Sequence, residues 1–425
     1  MSTDSSHILV VGAGLAGLIA AHRIASAGIR VSVLESGPEP GGRLREGAAA
    51  IGTVPKHAPT LERIVEESGA GDDVHLLPLG RARIGARGRL AHLARAGRFG
   101  SVPGLTPLEA LRARQTRGLL EWFRPRLRAQ EPEGVGSLDD RSVSEFCGLY
   151  LGDTLLERVY RPLLESHFGL DADETSRVTL LFLLGPEGGP EVRLAVGLEA
   201  LVARLASGLD LRVGQRVVAV QADGRGVELE SGERMEADAI VLAVPAPDGQ
   251  KLLSGLSPLE ELFLETCRYV ERRVVLLPRT RGNVSAPLAH WIPRQEGGPL
   301  AAILRVPPLP GFAGQTLLIA RARSTARSDA ELSDELCKAA ARIEPEIAGA
   351  EGASIRTVPR FAPRFDVGRY QALARIRPEW QRRLSHRRVV LSGDYLVAPH
   401  AEGAAVAGVR AADDIVTLMS GSTGY

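Results

Sequence analysis

The run HILVVGAGLAGLIAAHRIASAGIRVSVLE, residues 7–35, constrains this chain most, because an apolar strand enters Gly12-Ala13-Gly14-Leu15-Ala16-Gly17 and passes directly into a helix. That order is a phosphate-binding turn. Gly12 allows the tight turn, Gly14 lets the backbone approach a pyrophosphate without a Cβ in the way, and Gly17 lets the helix pack closely on the sheet. The helix start adds unpaired N–H groups and a partial positive charge. A second strand over 29–34 ends at Glu35, followed by Ser36; the Glu35 carboxylate can accept hydrogen bonds from both ribose hydroxyls and disfavours a 2′-phosphate. Strand, turn, helix, strand and acid in this order predict a dinucleotide ligand; the bland alternative is a glycine-packed corner.

At 425 residues the chain exceeds one core of ordinary size, so two domains are expected. A hydrophobic share of 44% with 24% charged residues fits a globular protein, and a net charge of +1 predicts no nucleic-acid partner. Only Lys56, Lys251 and Lys338 are lysines among 52 basic residues. Cys147, Cys267 and Cys337 are isolated, which gives neither a disulfide framework nor a metal site and suits a reducing cytoplasm. His22 and Arg23 interrupt the apolar run from Ile8 to Ala27, and no leader pattern or membrane span is read.

The pattern predicts a helix around Leu61, Ile64 and Val65, and a mostly helical region over 80–185. Within it, Leu108, Leu111, Leu119, Trp122, Phe123 and Leu127 fall near one face of an arginine-rich helix broken near Pro125. Trp122 and Phe123 among arginines suit a membrane interface, and an ordinary domain helix is the alternative. Ser142-Val143-Ser144-Glu145 reads as a capping box. Short β-rich runs from 209 to 245 suggest a return to the first sheet with an edge hairpin. Residues 270–380 read as strands and Pro-rich loops, and 388–419 as strand, glycine turn and helix. The fold class is α/β with mixed α+β character, a Rossmann-type domain interleaved with a second domain of mixed sheet and helices. No GxSxG or HExxH is present, which leaves hydrolase chemistry unsupported.

Three segments resemble the flavin-dependent amine oxidase superfamily, which includes protoporphyrinogen oxidases and phytoene desaturases. They are Gly41-Gly42-Arg43, the run Ala237 to Pro245 (ADAIVLAVP), and LSGDYLVAPHAEGAAVAGVRAA from Leu391 to Ala412. The segment His290 to Glu296 resembles the protoporphyrinogen oxidase branch, whereas Asp366 to Tyr370 departs from that branch at Arg369. The resemblance implies FAD as cofactor. Gly12 to Gly17, with Ala13, Leu15 and Ala16, then hold the pyrophosphate; Glu35 and Ser36 lie at the adenosine ribose, and Gly42 and Arg43 at a phosphate oxygen. Val217 meets the adenine through its backbone, and Gly52 and Thr53 meet the flavin edge. At the C-terminus Gly393 and Asp394 take the ribityl chain, and Gly403, Ala404 and Ala405 bring a helix start to the ring.

By this likeness the chain is an FAD-dependent oxidoreductase taking hydride from a bulky, largely apolar small molecule, with oxygen or quinone as acceptor. Polyene desaturation, amine oxidation and a non-catalytic flavin scaffold are the alternatives. The FAD-binding domain comprises 1–80, 190–250 and 385–425; the substrate domain comprises 81–189 and 251–384. The lysine that amine oxidases place near the flavin has no clear counterpart here. Substrate-facing candidates are Lys56 and His57, which come shortly after Thr53, and His400 beside Glu402; Arg360 and Arg364 are further candidates for acidic groups.

Overall fold

The computed structural model describes residues 6–93, 102–128, 130–185, 189–278, 286–296, 298–322, 328–349 and 352–421. Its centre is a five-stranded, wholly parallel sheet in the order Val389–Leu391, Ala239–Leu242, His7–Val11, Arg30–Leu34, Asp210–Arg212. Parallel strands need cover on both faces, and the apolar run Ile8, Leu9, Val10 is fully buried. On one face lie the helices Leu15–Ser26 and Ala401–Gly421. The other face packs Leu9, Val11 and Leu34 against Val217, Val227, Leu229 and Met235 of an antiparallel three-stranded sheet over 217–236.

The two helices approach closely because small residues line their seam. A Cβ on Gly408 would lie 2.5 Å from the Ala16 carbonyl oxygen, so the last helix can touch the first only through glycine there.

The second sheet has seven strands in the order Ser354–Pro363, Tyr269–Pro278, Gln315–Ala320, Leu300–Val306, Leu288–Trp291, Arg81–Ile84, Arg89–His92. All neighbours are antiparallel except Leu288–Trp291 against Arg81–Ile84. Its inner face, carrying Val274, Leu276, Trp291 and Leu304, packs on the helices between Pro107 and Leu183. Its outer face, carrying Val275, Leu277 and Ile303, is covered by the helix Asp329–Ile343. A small antiparallel sheet of Gly52–Pro55, Val192–Val196 and His75–Pro78 lies between the two large ones in sequence connection.

The helical expectation for 80–185 fails at its start, because Arg81-Ala82-Arg83-Ile84 alternates polar and buried residues and pairs as a hairpin strand. The Ser142 capping box forms in both directions, its hydroxyl accepting from Glu145 N and the Glu145 carboxylate accepting from Ser142 N. Two helices replace expected strand-and-loop structure in 270–380. Asp329–Ile343 buries Leu332, Leu336 and Ala340 at helical spacing, and Arg369–Arg383 continues through Pro378. The helix Pro107–Phe123 does not present the single apolar face expected of it. Ala113, Leu120 and Phe123 are buried, while Leu108, Leu111 and Trp122 remain more than half exposed. Among the described residues no helix is long and apolar enough to cross a membrane.

Candidate functional site

The carboxyl ends of the parallel strands open into a cavity of about 700 Å³ that continues to the inner face of the second sheet. Its size suits a ligand of cofactor class. The three glycines of the first turn do different work there. Gly12 sits at φ +101°, and a Cβ would meet the Ala243 carbonyl oxygen at 2.7 Å. On Gly17 a Cβ would stand 2.0 Å from Gly12 O and 3.0 Å from Ala243 Cβ. A Cβ on Gly14 would meet nothing within 4 Å, and Gly14 lines the cavity. Gly12 and Gly17 therefore satisfy packing, and Gly14 keeps space clear at a helix start.

Glu35 turns back on this loop. Its Oε2 accepts from Ala13 N at 2.8 Å and its Oε1 from Gly37 N at 2.7 Å. Each oxygen retains acceptor capacity toward the cavity. Ser36, Val217, Gly42, Gly52, Thr53, Gly393 and Ala404 also line the wall, with Leu15 and Ala16. Ala13, Gly17, Gly403 and Ala405 do not: Ala405 is fully buried, and a Cβ on Gly403 would strike Ala398 O at 2.2 Å.

Arg43 and Asp394, 351 positions apart in the chain, meet as an ion pair at 2.8 Å on the cavity wall. The Arg43 guanidinium also donates to Phe361 O at 3.0 Å. These contacts all run through Nη1, so Arg43 ties the Asp394 carboxylate to the strand Ser354–Pro363 with one of its nitrogens. Tyr269, also on the cavity wall, accepts from Ala246 N at 3.3 Å, and burial pushes its phenol well above the ordinary range.

His400 lines the cavity as a neutral group. Its Nδ1 accepts from Gly403 N at 3.0 Å, which caps the helix Ala401–Gly421, and burial pushes its pKa down to about 3. Glu402, fully buried, accepts from Thr60 N and Leu61 N at 3.1 and 2.7 Å and so closes the start of the helix Pro59–Glu67. Lys56 and His57 stand outside the cavity. The strand carrying Thr53 ends at Pro55, after which both side chains are exposed and Lys56 pairs with Glu191 at 3.1 Å. Arg360 lines the cavity but pairs with Asp248, and Arg364 pairs with Glu174 and Asp366 away from it.

The structure adds residues that no motif marks. His167 lines the cavity beside Thr53, its Nδ1 2.7 Å from Thr53 Oγ1, and Trp291 Nε1 donates to its Nε2 at 3.3 Å. Indole nitrogen only donates, so His167 Nε2 accepts, Nδ1–H donates to Thr53, and the Thr53 hydroxyl keeps its own proton to give. Burial first, then the charge of Arg272, pushes His167 down to about 3. Among the described residues no cluster of His, Cys, Asp or Glu is arranged to hold a metal ion.

The sequence model of the family described as flavin containing amine oxidoreductase matches residues 68–269, and that of the NAD(P)-binding Rossmann-like domain matches 10–63. Over these segments the chain resembles the flavin-dependent amine oxidase superfamily. Its cofactor is FAD, and the cavity fits that cofactor on its own evidence, since the Cα of Gly14 opens onto free space and two charged groups, Arg43 and Asp394, stand fixed on the same cavity's wall. Coproporphyrinogen III oxidase of Bacillus subtilis (strain 168) is 22% identical over 323 residues, covering 62% of this chain and 64% of that protein. Phytoene dehydrogenase of Streptomyces griseus is 29% identical over 305 residues, 61% of this chain and 58% of the other. The alignments thus span less than two thirds of either relative's length. A crystal structure of a putative protoporphyrinogen oxidase from Exiguobacterium sp. 255-15 superposes with a TM-score of 0.71 at 20% identity, covering 100% of both chains.

Proposed function

We propose that this chain oxidises a bulky, largely apolar small molecule by two-electron dehydrogenation, in the manner of the porphyrinogen oxidases it resembles. When bound, FAD supplies the acceptor for the hydride. The observation that carries the proposal is one continuous cavity joining the glycine turn, the Arg43–Asp394 pair and the aromatic wall of Phe168, Tyr269 and Phe361.

In this reading the chain divides into an FAD-binding part (1–80, 190–250 and 385–425) and a substrate part (81–189 and 251–384). Gly14 and the helix start after it receive the pyrophosphate, Glu35 and Ser36 the ribose, and Val217 the adenine. Asp394, held by Arg43, accepts from the ribityl chain. Gly52 and Thr53 border the ring, with the Thr53 proton directed by His167 and Trp291. The start of the helix Ala401–Gly421, capped by His400, places partial positive charge where reduction adds negative charge. Gly403 and Ala405 serve by letting that helix pack closely. Oxygen or quinone restores the cofactor. Leu108, Leu111 and Trp122 give the helix Pro107–Phe123 an apolar outer edge for a membrane surface, which liposome co-sedimentation with and without Trp122→Ala tests.

Anaerobic screening of porphyrinogens, polyenes and amines for bleaching of the oxidised flavin band at about 450 nm tests the reaction. Bleaching by porphyrinogens is expected. Bleaching by polyenes alone supports the second reading, a desaturase, which the likeness to a phytoene dehydrogenase favours. Protein replete in FAD that no class bleaches refutes catalysis.

A further inference from the structure

Thr53 receives a hydrogen bond and passes none on. Its Oγ1 lies 2.7 Å from His167 Nδ1, and among the described residues its own proton meets no acceptor. Other buried hydroxyls close on the chain: Ser32 donates to Asp210, and Ser166 to the Pro162 carbonyl oxygen. Thr53 is only 2% exposed, yet both it and His167 lie on the wall of the large cavity. A buried donor without a partner is costly, and here an occupant of the cavity relieves it.

The direction of the donor is set from behind. Leu164–Phe168 forms a wide helical turn that Gly169 ends at φ +70°, where a Cβ would stand 3.0 Å from Val270 Cγ2. That stop holds His167 between the strand Gly52–Pro55 and the fully buried Trp291, whose ring meets the imidazole edge-on, 84° apart in plane and 6.0 Å between centroids. Because the indole N–H of Trp291 points at His167 Nε2 at 3.3 Å, the imidazole carries its proton on Nδ1 and gives it to Thr53. Indole, imidazole and hydroxyl thus form one chain of donors running in a single sense, each bond polarising the next. The last member faces the cavity.

We propose that His167 is a positioning residue that holds Thr53 as an obligate hydrogen-bond donor to the polar edge of the flavin ring, and that this contact raises the reduction potential of the flavin. The inference rests on the reading of Gly52 and Thr53 as the border of the ring. That edge carries carbonyl oxygens and bare ring nitrogens, which suit a donor, whereas the N–H of the ring finds no acceptor in this hydroxyl's free proton. Reduction adds negative charge to the same edge, so the contact is stronger to the reduced ring than to the oxidised one. Thr53 makes the ring a better hydride acceptor without transferring a proton itself.

Anaerobic redox titration of FAD-loaded protein against reference dyes tests this. Thr53→Val keeps the shape of the side chain and should lower the preference for reduced over oxidised flavin about tenfold, a fall of about 30 mV in midpoint potential. Thr53→Ser, which keeps the hydroxyl, should stay within about twofold of the wild type. His167→Phe should lose part of the tenfold, and combining it with Thr53→Val should lower the potential no further than Thr53→Val alone, because His167 acts through the hydroxyl. An unchanged potential in Thr53→Val overturns the inference, as do fully additive losses in the double variant. Nitrogen-15 NMR of histidine-labelled wild-type holoprotein adds a check that stands whether or not the variants fold. The imidazole next to the Trp291 indole proton should be protonated on Nδ1, and a proton on Nε2 overturns the inference. FAD release on denaturation separates the two failures: wild-type protein that holds no FAD refutes the cavity reading, whereas FAD-replete protein whose potential ignores Thr53 refutes only the role of Thr53 and His167.

Discussion

Alanine at position 17 and alanine at position 14 should have opposite effects, although both add one methyl group to the same loop. At Gly17 the new Cβ would lie 2.0 Å from a backbone carbonyl and 3.0 Å from Ala243 Cβ, so either the helix Leu15–Ser26 or the turn must move by roughly an ångström. Overpacking of this kind costs typically 1–3 kcal/mol, and the better helix propensity of alanine offsets up to about 1 kcal/mol of it. A net loss of about 2 kcal/mol is expected in urea unfolding of the apoprotein. At Gly14 the backbone is extended at φ −74° and ψ 176°, which alanine adopts freely, and nothing lies within 4 Å. Apoprotein stability should change by no more than about 0.5 kcal/mol. The methyl group instead enters the space assigned to the pyrophosphate and displaces a charge-assisted contact worth about 1.5–3 kcal/mol, so the FAD Kd should rise roughly tenfold to hundredfold. Fluorescence titration of apoprotein with FAD reads this directly. The reasoning is refuted if Gly14→Ala binds FAD like the wild type, or if it destabilises the apoprotein as much as Gly17→Ala does.

Asp394→Ala should weaken FAD binding by about tenfold to hundredfold, with Asp394→Asn intermediate, because the alanine removes both the acceptor and the partner of Arg43. Removing Glu402 with alanine leaves two buried N–H groups of the helix Pro59–Glu67 unsatisfied, and should cost about 2 kcal/mol in equilibrium unfolding. Acid should destabilise the fold through its neutral histidines. Both His167 and His400 sit at about 3 in the folded protein, below the ordinary 6.5. The unfolded chain therefore binds the extra protons, and stability is lost as pH falls from 6.5 toward 3. From pH 7 to 5.5 each histidine should remove about 1.3 kcal/mol. His400→Asn, which keeps a helix cap, should abolish one such share, and an unchanged pH slope in that variant contradicts a neutral buried His400.

The legible part of the sequence was local. The glycine turn is a code of backbone angles and close approaches within six residues, and the C-terminal Gly-Asp step with its small-residue helix is equally compact. The Ser328 and Glu331 capping signal, with Leu332, Leu336 and Ala340 behind it, was equally open to reading as a helix. The substrate side was not legible for a different reason. Thr53, His167 and Trp291 lie more than a hundred residues apart in succession and meet only when the sheets form. In the run Glu271-Arg272-Arg273 no periodicity tells which arginine turns inward, because the bulge at 270–272 resets the alternation. Lys56 and His57 misled through adjacency to Thr53, since the strand ends at Pro55 and the chain beyond it turns out to solvent.

The order of strands in the parallel sheet also dictates how this protein must be made. Ala239–Leu242 gains its outer neighbour only when Val389–Leu391 has been synthesised, about 150 residues later. At roughly 5–20 residues per second the ribosome leaves that hydrophobic edge unpaired for on the order of ten seconds. During that interval the helix Leu15–Ser26 also lacks the C-terminal helix that seals it through Gly408. The nascent flavoprotein thus presents an open edge and an oily helix face together, a combination that chaperones capture and that heterologous overexpression without them drives toward aggregation.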